Sequence, residues 1–398
     1  MNTRAKFLVV VSSTFLVLLL LLGTVLGKGT SPDNPYRHLA VYTEVLSRIK
    51  SEYVEEPDLK SVTLGALNGL LESIDPFASY LNADQYKEYL KHSDAKGDVG
   101  LILSKRFGYI GVVAAVPGSP AAKAGLTTGD IIETINKVAT RDMPLAYTNL
   151  LLRGNPGTSV DVTVLRRQPE PQKMTLVRAV LNPPPVTSKI LPDDVGYIRP
   201  ETLSAARVQE VATDLRDLQT KGAKRLVLDL RQCAVGEPED GVALADLFLD
   251  SGVVTYLQGQ RVPRQDFKAD ASKVIWKLPV VVLTNRGTAD AAEVASAALE
   301  DNNRAKVVGE RTYGDASLRR ALTMDDGSAI ILSVAKYYSP SGKAIQDVGV
   351  TPGEVVQEPE PQVETDEDGE VVRPDPNQPE HKPGEDVILK RGIELLSK

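Results

Sequence analysis

Between residues 195 and 308 short apolar runs alternate with amphipathic stretches, and this alternation leaves few folds open. The predicted order is strand Val195–Ile198, helix Ala205–Thr220, strand Leu226–Leu230 and helix Val242–Leu249. Strand Val280–Leu283, helix Asp290–Leu299 and strand Ala305–Val308 follow, and Ala329–Tyr338 is a further strand. The strands are continuously apolar rather than alternating. That pattern belongs to a largely parallel sheet buried on both faces by its crossover helices.

Upstream the pattern differs. Leu39, Tyr42, Val45, Leu46, Ile49 and Tyr53 recur at helical spacing, as do Leu64, Leu67, Leu70 and Leu71, so residues 36–91 read as helical with a break at Asp75-Pro76. From Lys96 the chain turns to strands. Ile102–Lys105, Ile110–Val116, Ile131–Ile135 and the alternating Val160, Val162 and Val164 are the clearest. Ser119-Pro120 starts a short helix that Gly125 ends, and Pro144 starts another that ends at Arg153-Gly154. Asn182-Pro183-Pro184-Pro185 is a stiff boundary.

At the N-terminus Arg4 and Lys6 precede an apolar run of 21 positions, Phe7–Gly27. A helix of about 20 apolar residues spans a bilayer core. The basic flank predicts a cytoplasmic N-terminus, with the bulk of the chain extracytoplasmic. The expected location is therefore the inner (cytoplasmic) membrane, single pass, with a periplasmic body. A cleaved signal peptide is the competing reading. Its apolar region is shorter and ends in a small-x-small site, which Gly23-Thr24-Val25-Leu26-Gly27 does not supply.

The net charge of −7 is concentrated at one end: Glu354 to Asp386 holds twelve acids and two bases, a local charge of −10. The remainder is close to balanced and offers no nucleic-acid surface. The acidic, proline-rich stretch reads as a disordered linker, followed by a short helix at Val387–Leu396. Cys233 is the single cysteine, so no intrachain disulfide forms. No His/Cys/Asp cluster around His38, His92 or His381 has metal-ligand spacing, and neither a metal site nor a cofactor is expected.

Residues 97–182 resemble a PDZ domain of the bacterial, protease-linked type. The resemblance rests on Val99-Gly100-Leu101 before a strand and on the run Pro117-Gly118-Ser119-Pro120-Ala121-Ala122-Lys123-Ala124-Gly125-Leu126 followed by Gly129-Asp130-Ile131-Ile132. It implies capture of polypeptide C-termini. Free N–H groups around Gly100 would hold the carboxylate and the peptide would add as a strand beside Leu101–Lys105, which makes Val99, Gly100, Leu101, Ile102 and Leu103 the expected peptide-binding residues. A module that only packs against its neighbour is the plainer alternative.

Residues 36–353 resemble the carboxyl-terminal processing peptidases, or tail-specific proteases. The matching runs are Tyr53-Val54-Glu55-Glu56-Pro57, Ile74 to Leu81, Leu228-Asp229-Leu230-Arg231, Val307 to Gly314 and Tyr337 to Gln346. The resemblance implies an α/β catalytic domain of crotonase/Clp-peptidase type with an inserted PDZ-like module, and a serine nucleophile paired with a neutral lysine. Against the family pattern GSASASE this chain reads Gly287-Thr288-Ala289-Asp290-Ala291-Ala292-Glu293, with Asp290 at the nucleophile position. Asp315 stands at the lysine position with the family's spacing of 25 residues, and Arg319 stands where a glutamine is expected. The NNPGG run becomes Gln232-Cys233-Ala234-Val235-Gly236. That puts in doubt an oxyanion region formed by Val235, Gly236 and Ala291, because a valine resists the angles open to glycine.

The expected organisation is an anchor or signal (1–28), a helical region (29–95), a PDZ domain (96–182), a protease-like domain (186–353), an acidic linker (354–386) and a C-terminal helix (387–398). The expected function is that of a membrane-tethered pseudoprotease that binds polypeptide C-termini or unfolded proteins. Loss of a serine hydrolase's nucleophile costs about 10⁶-fold in turnover. The rival expectation is an endopeptidase with another constellation, for which a shared Asp290–Asp315 carboxyl pair is the sharpest candidate. Homo-oligomers and pairing with an active relative are both left open.

Overall fold

The computed structural model describes residues 35–92, 95–141, 143–166, 170–358 and 386–397. The expected anchor at 7–27 and most of the acidic linker lie outside them. Among the described residues no helix is long and apolar enough to cross a membrane.

The described residues fall into two compact units that divide between Ala66 and Leu67. The first contains helix α1 (Pro35–Glu52) and the opening turns of α2 (Leu59–Glu72). The predicted helical stripe of α1 is present, and its Leu39 and Val45 are about half exposed, at 55% and 50%.

The second unit begins with the end of α2. The helical reading of 36–91 breaks at Asp75-Pro76 as expected, and the stretch beyond it is not helical throughout: a short strand β1 (Ser79–Leu81) precedes α3 (Ala83–Lys91). Asp75 forms the break, its carboxylate accepting the Phe77 N–H at 2.9 Å. Asn82 caps α3 in a reciprocal box with Gln85.

A five-strand antiparallel path follows: β2 (Leu101–Arg106), β3 (Tyr109–Ala115), β4 (Ile131–Ile135), β6 (Ser159–Leu165) and β7 (Gln172–Val177). Helix α4 (Pro120–Lys123) interrupts it after the Ser119 cap, β5 (Val138–Ala139) pairs with β4, and α5 (Leu145–Leu152) packs beside β2. Alternate residues of β6, Val160, Val162 and Val164, enter a core with Ile110, Ile132 and Leu176. Strand β2 forms the edge of this sheet.

The central sheet runs β17-β14-β13-β10-β9-β8. Its members are β8 (Thr187–Leu191), β9 (Val195–Arg199), β10 (Arg225–Asp229), β13 (Val280–Thr284), β14 (Lys306–Gly309) and β17 (Glu354–Val355). All pairs are parallel except β8 with β9. All five residues of β13 are buried, as a continuous apolar run predicts. One face packs on α6 (Ala205–Thr220), α7 (Pro238–Asp246) and α8 (Ala291–Asp301). Helix α7 starts four residues before the expected Val242, because Pro238 takes the first helical position behind Glu237.

The other face is closed by α9 (Val387–Leu396), whose Ile388 is fully buried against Tyr197, Val227, Val281 and Val308. Arg231 fastens this helix, with its Nη2 at 2.7 Å from both Asp229 and Asp386.

The third sheet is antiparallel, and of its strands the apolar pattern predicts only β16 (Ala329–Tyr338). It joins β1, β11 (Val253–Gln258), β12 (Gln265–Lys268) and β15 (Ser317–Thr323) to β16. Strand β15 is largely polar and exposed, so it carries no apolar signature of its own. Its register on β16 places Arg319 opposite Ser333.

Candidate active site

The turn from β13 into α8 is the organising feature. Asp290 sits at its apex with φ 54° and ψ −121°, a conformation costly for any residue but glycine. The surrounding bonds enforce it. The Thr288 hydroxyl donates to Leu230 O at 2.9 Å, and Ala289 N–H donates to Cys233 O at 3.0 Å. Asn285 Oδ1 accepts from both Gln232 N and Gly287 N at 3.1 Å. A Cβ at Gly287 would lie 2.4 Å from Gln232 Oε1, so a larger residue here would push that amide aside. A strand, a strained apex and a helix form a nucleophile elbow in geometry, with a carboxyl at its tip.

Glu293, fully buried one turn into α8, ties the elbow to the turn that carries Asp315. Its Oε2 accepts from Asp290 N at 3.1 Å and from Asp315 N at 2.7 Å. Its Oε1 accepts from Gly314 N at 2.7 Å and from the Thr312 hydroxyl. Burial pushes its carboxyl up to about 7, against the pull of these donors.

Asp315 is buried and forms an ion pair with Arg319, whose guanidinium also lies 4.2 Å above the Phe77 ring. Burial raises the Asp315 carboxyl while Arg319 opposes the rise. The Asp290 carboxyl is held well above the carboxylate range, first by burial and then by the charge of Asp315. Two like charges in one buried site disfavour double ionisation, and the Arg319 guanidinium favours the charge on Asp315 over that on Asp290.

Both aspartates open into a cavity of about 610 Å³. Along it lie Leu101, Ile102 and Leu103 of edge strand β2, then Leu145, Asn149 and Leu152 of α5, and at the far side Val235, Gly236, Asp290, Asp315 and Arg319. The predicted peptide groove and the predicted catalytic positions are therefore one continuous space. Among the described residues its lining holds no serine, threonine, cysteine or lysine. The nearby hydroxyls of Thr288 and Ser317 are bonded elsewhere, to Leu230 O and Ser333, and the Cys233 thiol is buried and raised by that burial. No group of His, Cys, Asp and Glu among the described residues could hold a metal ion.

Two expectations need correction. Val99 is a core residue with no exposed surface, not a peptide contact. The N–H of Gly100 is not free: it donates to Asp98 Oδ1 at 2.7 Å, and the same carboxylate pairs with Arg153 at 3.2 Å. The short Asp-x-Gly turn satisfies its own donor before any ligand arrives. In the oxyanion region Val235 does not take a positive φ, and its carbonyl accepts Leu203 N at 2.7 Å. Gly236 packs so closely that a Cβ would meet that of Ala291 at 2.9 Å, and Ala291 itself is buried in the core.

The comparisons with known proteins agree with this architecture. Residues 194–356 match the model of peptidase family S41, and residues 111–166 match a PDZ domain model. A carboxyl-terminal-processing protease of Synechocystis is 33% identical over 323 residues, covering 78% of this chain and 75% of that protein. The chain belongs to peptidase family S41. A carboxy-terminal-processing protease of Bartonella bacilliformis is 30% identical over 339 residues, covering 83% of this chain and 77% of that protein. Among solved structures, a photosystem II D1 C-terminal processing protease superposes with a TM-score of 0.65 at 27% identity, covering 78% of this chain and 86% of that one.

Within this S41 frame, sequence reasoning passed over Glu293, Phe77, Asp98 and Arg153. A signal existed for Glu293, because Asp290-x-x-Glu293 has capping-box spacing ahead of an apolar run. None existed for Phe77, which reaches Arg319 only through tertiary packing.

Proposed function

We propose that this S41 member is a non-catalytic, membrane-anchored binder of polypeptide C-termini, with its body in the periplasm. One observation carries the reading. The space where an S41 nucleophile and base would act is open and continuous with the β2–α5 groove, yet carboxyls stand at both positions and, among the described residues, no serine, threonine, cysteine or lysine lines it. An extended peptide adds to the edge of β2, and its terminal side chain enters the apolar part of the cavity near Leu101, Leu103 and Leu152. Its carboxylate exchanges with Asp98 at the Gly100 N–H and beside Arg153.

The test uses the full chain in detergent micelles. Binding of labelled peptides with free C-termini, lost on C-terminal amidation, supports the reading. Labelling of the protein by a fluorophosphonate, or degradation of unfolded casein that Asp290→Asn does not abolish, overturns the non-catalytic part. The paired carboxyls favour one rival, an aspartic-type endopeptidase with Asp290 as the proton-bearing partner. Casein cleavage that peaks at acid pH and is lost in Asp290→Asn would establish it instead.

A further inference from the structure

The elbow retains its strained geometry although an aspartate occupies it. Asp290 holds φ 54° and ψ −121° under bonds from Glu293, Asn285, Thr288 and Ala289, and its side chain reaches a partly open cavity that already runs into the peptide groove. A strained residue fixed by so many partners points to a function for the group it presents. A carboxylate there would repel the main-chain carbonyl oxygens of an extended polypeptide. A carboxylic acid would instead offer them an O–H donor.

We infer that the Asp290 carboxyl, in its protonated form, donates a hydrogen bond to a main-chain carbonyl of the captured polypeptide, so that the former scissile position becomes a second, sequence-independent holding point. The inference rests on the C-terminus-binding reading above and specifies what the Asp290 end of that site takes: the backbone of an uncleaved, extended chain. Hydrogen bonds to main-chain atoms explain how one site holds chains of differing sequence, while the groove selects the terminus.

The charged surroundings make this hold depend on pH. Asp290 is faced by Asp315 and Arg319 from the adjoining turn and β15, by Glu293 from α8 and by Glu237 at the head of α7. The Tyr337 hydroxyl and Cys233 thiol nearby are both raised by burial and stay neutral. The Arg319 ion pair favours the charge on Asp315, which leaves Asp290 the readier of the two to hold a proton, so the donor is present at low pH and is lost as pH rises through the raised range. His92 lines the same cavity, and the Asp290 variants single out the Asp290 carboxyl.

The experiment is fluorescence polarisation with a fluorescein-labelled peptide that ends in an apolar residue and a free carboxylate, titrated with the full chain in detergent from roughly pH 5 to 8. Wild type is expected to weaken as pH rises. Asp290→Asn, which keeps an N–H donor that does not titrate, is expected to bind with a flat pH course. Asp290→Gly, which also relieves the elbow strain and so guards against misfolding, is expected to bind about three- to tenfold more weakly at low pH. A peptide with one ester in place of an amide, whose carbonyl is a poorer acceptor, is expected to lose affinity for wild type but not for Asp290→Gly. Wild-type affinity and pH course in both variants, with no ester effect, overturn the inference while leaving C-terminal capture intact. Absence of wild-type binding at every pH overturns capture itself, and the inference with it.

Discussion

Glu293 Oε2 accepts the main-chain N–H of Asp315 at 2.7 Å, across 22 residues of sequence. Because the same carboxylate also holds the N–H of Asp290, one buried side chain sets the geometry of both altered positions. The scaffold of an S41 site persists here independently of the groups it presents.

Glu293→Gln is expected to destabilise the protein by about 2–4 kcal/mol, because whichever end becomes NH₂ faces donors and cannot accept from them. The carboxyl stands at about 7 in the fold against 4.5 as its ordinary value. The native state therefore binds more protons than the unfolded chain between those values, and wild-type stability falls as pH rises through that window. The fall is at most about 3 kcal/mol, flat above it, and absent in the variant. Urea titrations at a series of pH values measure both effects.

Arg319→Gln removes the cation beside a buried carboxylate and the cover on Phe77. The Asp315 carboxyl then rises further above its unfolded value. The variant should lie about 1–3 kcal/mol below wild type near pH 8, and the gap should close as pH falls and Asp315 protonates. Thermal melts at two pH values check the sign. A gap that widens toward acid contradicts the assignment of the charge to Asp315.

Arg231→Met leaves Asp229, which has no exposed surface, with the Tyr197 hydroxyl at 2.8 Å as its remaining side-chain partner. It also frees Asp386 at the head of α9. A loss of about 3–5 kcal/mol is expected. Faster hydrogen exchange should appear first in Val387–Leu396, read by mass spectrometry.

Gly241→Ala tests the fit of α7 against the elbow helix. The new methyl would lie 2.2 Å from Ala291 O and 3.0 Å from Val294 Cβ. The helices must separate, at a cost of about 1–3 kcal/mol in chemical denaturation. Peptide affinity should fall with it, since Ala291 directly follows Asp290.

Restoring the chemistry is the converse experiment. Asp290→Ser alone should remain unlabelled by a fluorophosphonate, because the carboxylate at the base position, Asp315, is ion-paired with Arg319 and is a far weaker base than a neutral lysine. Asp290→Ser combined with Asp315→Lys, Arg319→Gln and Val235→Gly should gain labelling. Labelling of the single variant would mean that another group in the cavity acts as base.

The sequence by itself determined the βα alternation of the central sheet, the PDZ-like module and the two aspartates in register. Those signals are local: apolar period, turn residues and motif spacing survive without neighbours. The tertiary structure alone decided the rest. Strand β15 has no apolar pattern and becomes a strand only because β16 offers its edge, which is what carries Arg319 to Asp315. A short C-terminal helix was legible, but not that it closes a face of the sheet through Arg231. The Gly100 N–H looked free because glycine angles are readable from sequence, whereas the hydrogen-bond partner already in place is not. Pairings of this kind depend on which surfaces the fold brings together, and a linear pattern of polarity does not encode them.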